Sequence, residues 1–464
     1  MSENAPNIEE EAENFLAERV ESSLVSALSL GLGALITIIA ITWAIDFWLN
    51  LGFTWFDEQA MVACLGLSLA VVFIRYPAKL GTERHAIPWY DYALALLGMG
   101  GTVYFVLIFD SIAENPFAMR PKAFVIGLLL VPMVWEALRR TAGWSLTIVF
   151  SVFVAYGFVG HLMPGMLQGV EQKNIDLIAF LGTSEVALIG LPLKIIVLTV
   201  VLFIWMGQML LHTGASEWFT DLSAAMMGRS RGGSAKIAVV ASSLFGSISG
   251  SAVSNVASTG VITIPLMRKS GYDAKTAGAI EAVASTGGQI MPPIMGAAAF
   301  LIAEFTGISY TDIILHALVP ALVSYIALVY IVHLEAMKMD LQGLQKPPSS
   351  MTFAMKLISF LGGFIGIGLL GLGVYFGLGW VKDVAPDSAF VIVCIGCIIG
   401  YLILLWLASR YPDLVVDDPN APILELPPAG ATALTGLYYI LPIVILIWSI
   451  VIERLSPGYA AFWA

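Results

Sequence analysis

The stretch ASTGGQIMPPIMG, residues 284–296, carries two adjacent glycines and two adjacent prolines inside an apolar run. Neither residue suits the interior of a helix, so the pattern predicts a break in a membrane-spanning helix. A break at membrane depth exposes carbonyl and amide groups that hydrocarbon cannot satisfy, and it is tolerated only where protein or a water-filled cavity supplies partners. Broken helices of this kind typically line a binding site.

A second polar stretch, GSISGSAVSN at residues 246–255, interrupts the apolar segment that comes before it. We expect the two interruptions to meet near the middle of the bilayer. The carbonyl ends of the first half-helices and the hydroxyls of Ser249, Ser251 and Thr286 would then form an oxygen cage for a small hard cation. Sodium is the cation that we expect such a cage to bind.

The half-helix after the polar tip begins near Ala252, and its positive dipole end would face the same cavity. A helix N-terminus in this position favours a carboxylate. The Asn255 amide could hold either the hairpin tip or a ligand. These residues predict a sodium-coupled transporter of an anionic solute, with no cofactor besides the coupling ion.

The composition indicates the kind of protein that positions these residues. Of 464 residues, 58% are apolar and only 12% are charged, which excludes a soluble multidomain enzyme. Apolar runs of about 20 residues recur, each long enough to cross the ~30 Å hydrocarbon core as a helix. The predicted fold is therefore all-α, a polytopic helical membrane protein. The predicted spans are 24–49, 59–75, 91–110, 121–137, 144–162, 192–213, 275–303, 310–333, 354–379, 388–409 and 433–452.

Charge sets the predicted orientation. Residues 1–22 hold seven glutamates and one arginine, the opposite of a signal peptide, and predict a disordered cytoplasmic tail. Most lysines and arginines fall on the inner side only if residues 237–266 enter and leave the membrane on that side. Basic segments flank this stretch, so it predicts a re-entrant hairpin, followed by the broken helix at 275–303.

The predicted domains follow from these spans. Residues 23–162 form a small membrane unit of about five spans, and residues 163–192 form a connector along the outer interface. Residues 193–464 form the first part of a larger transport domain that contains the hairpin and the broken helix.

The run from GSISGSAVSN through STGGQIMPP to FTGISY, residues 246–310, closely resembles the large membrane subunit of tripartite ATP-independent periplasmic (TRAP) transporters. More specifically, it is similar to fused permeases that work with TAXI-type receptors. The resemblance begins at the span near residue 91, includes WEALRRTAGW and GRSRGGSAKIAVVASSLFG, and reaches the end of the chain. It implies sodium-driven uptake of organic acids across the inner membrane, with a soluble extracytoplasmic receptor delivering the substrate.

The resemblance also implies roles for domains and residues. The small unit would be part of a rigid scaffold, and the large unit would be one half of an inverted-repeat, elevator-type transporter. The implied sodium-site residues are Ser249, Gly250, Ser251, Thr286, Gly287, Gly288, Gln289 and Pro292. The implied substrate-site residues are Ser251, Ser254, Asn255 and Gln289.

The sequence departs from the family pattern at its end, SPGYAAFWA, which falls midway through the large subunit. A second hairpin and a second broken helix, expected from inverted repetition, are absent from it. We therefore expect either a second polypeptide that supplies the remaining half or a truncated product.

Other interpretations remain at this point. A receptor-independent sodium/carboxylate symporter would use the same broken helices. An intramembrane enzyme requires a nucleophile beside a base or clustered metal ligands, and neither spacing occurs, so the chain is predicted not to be an enzyme. Glu281, one and a half turns before the break, is either a functional ionisable group or an ordinary solvated or hydrogen-bonded glutamate that gives polar support.

Overall fold

The structure is a computed structural model that describes residues 23–79, 87–116, 118–343, 376–377, 380–381, 383–384, 388–411 and 429–464. The predicted tail at 1–22, most of the predicted span at 354–379 and most of the polar segment between 411 and 432 lie outside the described residues.

The regular structure of the described residues is helical, without strands, as the sequence predicts. The helices are α1 Ser23–Ala44, α2 Phe47–Asn50, α3 Asp57–Arg75, α4 Trp89–Glu114, α5 Arg120–Val159, α6 Asn174–Thr183, α7 Leu191–Ile195, α8 Val201–His212, α9 Ala215–Met227, α10 Gly233–Ser249, α11 Ala252–Lys269, α12 Ala274–Gly287, α13 Ala297–Thr306, α14 Tyr310–Lys338, α15 Ala389–Ala408, α16 Ala429–Thr435, α17 Leu441–Val451 and α18 Pro457–Trp463. A π-helical turn, Ile196–Val200, joins α7 to α8.

Seven stretches of helix among the described residues are long and apolar enough to cross a membrane, and α16 with the helix after it forms one further pair, bent by 61°. The prediction of an all-α, polytopic membrane protein is thereby confirmed. The predicted spans at 121–137 and 144–162 run together in α5, where the backbone leaves helical torsions at Gly143 (φ 77, ψ −177). A positive φ costs glycine little because it has no Cβ.

The chain divides into two compact units, Met1–Val201 and Leu202–Ala464. The predicted boundaries at 162 and 193 remain predictions. In the first unit, an apolar core forms among α1, α3, α4 and α5. Helix α6, in the predicted connector, packs tightly on α5, because a Cβ at Gly127 would lie 2.1 Å from the carbonyl oxygen of Ile178.

A buried ion pair also holds the first unit together. Arg140 of α5 contacts Asp91 of α4 at 2.8 Å, with side chains that are 2% and 0% exposed. The same guanidinium donates to Glu136 at 2.7 Å and to the main-chain oxygen of Tyr76 at 3.1 Å. These bonds satisfy charges that burial would otherwise make very costly.

In the second unit, α10 and α11 form a helical hairpin whose arms lie side by side. Only Gly250 and Ser251 separate the arms, so the second arm begins at Ala252 as predicted, and the rest of the polar stretch is helical. The arms pack on α12 and α14 through small and apolar residues. The buried members of this core are Ala235, Ala238, Val239, Met267, Tyr272, Ala277, Ile280, Ala284, Tyr325, Val332 and Ala336.

We predict that Asp91→Ala destabilises the protein by about 3 kcal/mol, at the lower end of the range for breaking a buried pair, because Glu136 still neutralises Arg140. Denaturant or thermal unfolding in detergent measures the change. Lys338→Ala is the control, since it breaks an exposed pair with Glu335 and should cost no more than about 1 kcal/mol. Equal effects of the two substitutions would contradict a stabilising role for the buried pair.

Candidate functional site

The hairpin tip is a two-residue break between α10 and α11. Gly250 has a left-handed φ of 60°, and a Cβ there would lie 2.1 Å from the main-chain oxygen of Met295. Ser251 caps α11 by accepting a hydrogen bond from the Ser254 N–H at 3.3 Å. The position of Gly250 therefore requires glycine both for its torsion and for the close approach of the second broken segment.

The second break follows α12, which is capped at its start by Asp273. Helix α12 ends at Gly287, one tight turn covers Gly288–Ile290, and α13 begins at Ala297. The Gly296 N–H donates to the Gln289 oxygen at 2.7 Å, which closes the broken segment on itself. The predicted break therefore occurs at the adjacent glycines and prolines. The bond between the two prolines is cis.

A main-chain hydrogen bond joins the two breaks, and two tyrosines of α14 bind further main-chain oxygens beside the second break. The N–H of Ile294, in the broken segment, donates to the Ser247 oxygen in the last turn of α10 at 3.1 Å. The Tyr310 hydroxyl at the start of α14 donates to the Ile294 oxygen, and the Tyr325 hydroxyl donates to the Ala284 oxygen at 2.8 Å. Polar groups freed by the breaks thus find partners within the protein, as an apolar environment requires.

Two glycines bring the backbones of hairpin and broken helix into contact. A Cβ at Gly246 would lie 2.7 Å from the Cα of Gly288 and 2.8 Å from the Asn255 amide nitrogen. That amide is fully buried and donates to the Ser242 oxygen of the opposite arm at 2.8 Å. The sequence left two roles open for Asn255, holding the hairpin tip or binding a ligand. The hydrogen bond to Ser242 supports the first role.

Ser249 is the candidate residue whose environment most favours a ligand. It is only 4% exposed, and among the described residues its Oγ has no hydrogen-bond partner. The backbone of α8 approaches closely at Gly207, where a Cβ would lie 3.2 Å from the Ser249 Cα. A buried hydroxyl without a partner costs free energy unless something binds it.

The helix ends at the two breaks carry partial charges of both signs. Helices α10 and α12 end where Gly246 meets Gly288, and carbonyl ends carry partial negative charge. Helix α11 begins just after the same tip, and N–H ends carry partial positive charge. The arrangement can therefore attract a cation and an anion to neighbouring positions.

The other candidate residues have mixed surroundings. Ser254 Oγ accepts a hydrogen bond from Gln208 of α8 at 3.0 Å. Thr286 is exposed and donates to the Ala282 oxygen of its own helix at 2.7 Å. Together with Gly287, it lines a cavity of about 460 Å³. The side chain of Gln289 is also exposed. The roles of all these residues stay predictions.

Glu281 is fully buried, so it is not a solvated glutamate. Four hydroxyls donate to its carboxylate. Those to Oε1 come from Ser242 of α10 at 2.9 Å, Thr259 of α11 at 2.6 Å and Ser285 at 3.0 Å, and Thr263 of α11 donates to Oε2 at 2.6 Å. The carboxylate therefore joins both hairpin arms to the broken helix.

These four hydroxyl residues and Gln208 were not predicted as site residues. One signal was present: Asn255, Thr259 and Thr263 are spaced by four, which puts three polar groups on one face of α11. A buried polar stripe on an otherwise apolar helix requires a polar partner. Nothing in the spacing identified Glu281 as that partner, and no comparable signal marked Gln208.

Fold and site together define a polytopic membrane protein of the permease class. Residues 129–464, more than two thirds of the chain, match the family model described as tripartite ATP-independent periplasmic transporter, DctM component. The chain belongs to this family of TRAP large permeases and is a multi-pass protein of the inner membrane.

Individual relatives support the assignment. A TRAP transporter large permease of Haemophilus influenzae is 27% identical over 35% of this chain and 39% of its own length. The C4-dicarboxylate permease DctM of Pseudomonas aeruginosa is 30% identical over 30% of this chain and 32% of its own length. The sialic acid permease SiaM of Vibrio cholerae is 22% identical over 53% of this chain and 58% of its own length. The chain spans about two fifths of the length of the Haemophilus relative.

We predict that Gly246→Ala lowers the unfolding temperature in detergent, because the added methyl would push the hairpin away from the backbone of Gly288. Gly278→Ala is the matched control. It lies within α12, and a Cβ there meets nothing within 4 Å. Alanine is favoured over glycine in a helix interior by about 1 kcal/mol, so this control should be neutral or stabilising. If Gly246→Ala behaves like Gly278→Ala, the glycine contact is not a constraint.

Proposed function

We propose that the chain is a membrane permease component of a sodium-coupled secondary transporter that takes up organic acids delivered by a TAXI-type receptor. The observation that carries the proposal is the meeting of two broken helices at Gly250 and Met295, next in sequence to Ser249, whose buried hydroxyl has no partner among the described residues. This arrangement leaves helix ends of both signs at one place, which suits a cation and a carboxylate together.

The residues fit a sodium ion. Main-chain and hydroxyl oxygens are the ligands that small hard cations prefer, and two helix C-termini add partial negative charge without a full charge. Ser249 offers a hydroxyl that the described protein does not use. We assign the ion to main-chain and side-chain oxygens drawn from Ser249, Gly250, Ser251, Thr286, Gly287, Gly288, Gln289 and Pro292.

The carboxylate would bind at the start of α11. This helix has 18 residues, and its first turn offers main-chain N–H groups, the Ser251 and Ser254 hydroxyls and, across the break, the Gln289 amide. Asn255 contributes by holding the hairpin tip. The relatives named for C4-dicarboxylate and sialic acid act on carboxylates, which supports an organic acid as the solute class.

The proposed partner follows from the family. A TAXI-type extracytoplasmic receptor would deliver the solute. The small unit, residues 23–162, would serve as a scaffold, and the larger unit would move as an elevator. Each net positive charge carried inward gains about 2.3 kcal/mol per 100 mV, and a tenfold accumulation requires about 1.4 kcal/mol, so sodium coupling suffices for concentrative uptake.

We predict that sodium raises the unfolding temperature of the purified chain in detergent more than potassium does at the same ionic strength. A ligand at about 100 times its Kd stabilises the folded state by about 2.7 kcal/mol. Ser249→Ala should reduce this sodium-specific stabilisation by raising Kd about tenfold, or about 1.4 kcal/mol. Stability without sodium should change little, because the described part of the protein makes no bond to that hydroxyl.

The matched control is Ser243→Ala, on the same helix. Its hydroxyl already has a partner, the Val240 oxygen of its own helix, so its sodium response should equal that of the unmodified protein. A sodium response that is unchanged in Ser249→Ala, or equally reduced in Ser243→Ala, would remove Ser249 from the cation site.

We predict that proteoliposomes containing the assembled transporter accumulate a carboxylate only when receptor and inward sodium gradient are both present. Isotope uptake, with and without receptor and with sodium replaced by potassium, measures this. Accumulation that persists without receptor would favour the second candidate function, a receptor-independent sodium/carboxylate symporter. That candidate rests on the same broken helices.

A further inference from the structure

Glu281 of the second unit has no positively charged partner among the described residues. Its recorded hydrogen bonds are to hydroxyls, and no lysine, arginine or histidine of the described chain donates to it. A buried carboxylate of this kind is costly in an apolar environment, and inside transport proteins such groups commonly carry protons.

The titratable groups around Glu281 are engaged elsewhere or stand at helix ends. On α14, Tyr325 interacts electrostatically with Glu281 and donates to the Ala284 oxygen. Lys236 of α10 contacts His333 of α14 at 3.2 Å. The remaining basic residues of the packed helices stand at their ends, namely Arg268, Lys269, Lys275 and Lys338.

The hydroxyl cluster can accommodate Glu281 in either protonation state. In the charged state, Thr263 donates to Oε2 at 2.6 Å. In the neutral state, Oε2–H can donate to Thr263 Oγ1 across the same distance, because the Thr263 hydroxyl has a second acceptor in the Thr259 oxygen at 3.0 Å. Rotation of one hydroxyl therefore exchanges the two networks, whereas a fixed ion pair such as Arg140 with Asp91 has no such alternative.

The cluster is connected to the broken helices. Thr259 Oγ1 lies 2.6 Å from Glu281 Oε1 and 3.3 Å from the side-chain oxygen Oδ1 of Asn255, so it has a second acceptor within reach. The Asn255 amide in turn lies against the contact between Gly246 and Gly288. A change at Glu281 therefore reaches the proposed solute and ion sites through two side chains.

We propose that Glu281 binds and releases one proton during transport, with Thr263 as the hydroxyl that exchanges donor and acceptor roles. The proton comes from water on one side of the membrane, forms the Oε2–H bond, and returns to water on the other side. The role in transport rests on the proposed function, whereas the protonation itself does not. Neutralising the carboxylate lowers the cost of moving the cluster through an apolar environment.

The direct test is an infrared pH titration of the purified chain in detergent. The chain has 33 aspartates and glutamates, so the signal of Glu281 is read from the spectrum of the unmodified protein minus that of Glu281→Gln at each pH. We expect this difference to contain a carboxylic-acid C=O band at acid pH that disappears at alkaline pH. Thr263→Val should shift the frequency of this band, because it removes the partner of Oε2, and Thr263→Ser should restore it. Glu304→Gln, which replaces an exposed glutamate of α13, is the control and should keep the band.

A difference between the unmodified protein and Glu281→Gln that contains no titrating C=O band would overturn the proposal. Because a glutamine side chain is close in shape to a protonated glutamate, we expect Glu281→Gln to fold. Its unfolding temperature checks this before the spectra are compared.

The second test uses the receptor-containing proteoliposomes at constant sodium gradient. An inward proton gradient should accelerate uptake by the unmodified protein, and in Glu281→Gln the ratio of rates with and without that gradient should fall to one. A ratio that Glu281→Gln leaves unchanged would overturn the role of Glu281 in coupling. If the unmodified protein transports nothing, the proposed function fails, and the infrared titration still decides whether Glu281 binds a proton.

Discussion

A helix that breaks in an apolar environment frees main-chain N–H and C=O groups, and each needs a partner within the protein. In this chain the two breaks supply partners for each other, because the N–H of Ile294 reaches the oxygen of Ser247. The bond requires the two backbones to be in contact, and Gly246 with Gly288 allows this. Hairpin and broken helix are therefore one packed body, and the positions of the candidate residues depend on that contact.

Buried charge is managed in two different ways along the chain. In the first unit, Asp91 is held by Arg140, a partner that stays charged at any physiological pH, so this pair has one arrangement. In the second unit, Glu281 is surrounded by hydroxyls, which can donate or accept. The ion pair suits a fixed scaffold. The hydroxyl cluster suits a part of the molecule whose charge would change during transport.

The sequence predicts the features that arise from local chemistry. Adjacent glycines and prolines mark the second break within a few residues, because torsional preference and the missing proline N–H act at the position itself. The all-α fold follows similarly from the length of the apolar runs. The start of the second hairpin arm near Ala252 was also predicted. The continuation of the first arm to Ser249 was not, since serine-rich sequence is typical of loops.

Contacts between distant residues could not be predicted in the same way. Gln208 meets Ser254, and Glu281 meets Ser242, only because the hairpin folds back between α8 and α12. Sequence spacing shows which face of α11 is polar, but which side chain lies opposite that face depends on the packing of three helices. The burial of Glu281 and its bonds to four hydroxyls therefore follow from tertiary structure and not from its distance from the break.

The proposed cation and carboxylate would strengthen each other's binding because their positions are adjacent. A sodium ion at the ends of α10 and α12 adds positive charge beside the start of α11, where the carboxylate would bind, and attraction between close charges is strong where water is excluded. Linkage requires that the carboxylate increase sodium affinity by the same factor. A proton on Glu281 would change both affinities, because it removes a negative charge. The charged carboxylate favours binding of the cation and opposes binding of the anion. The three groups together thus determine how much net charge the hairpin and broken helix carry when loaded.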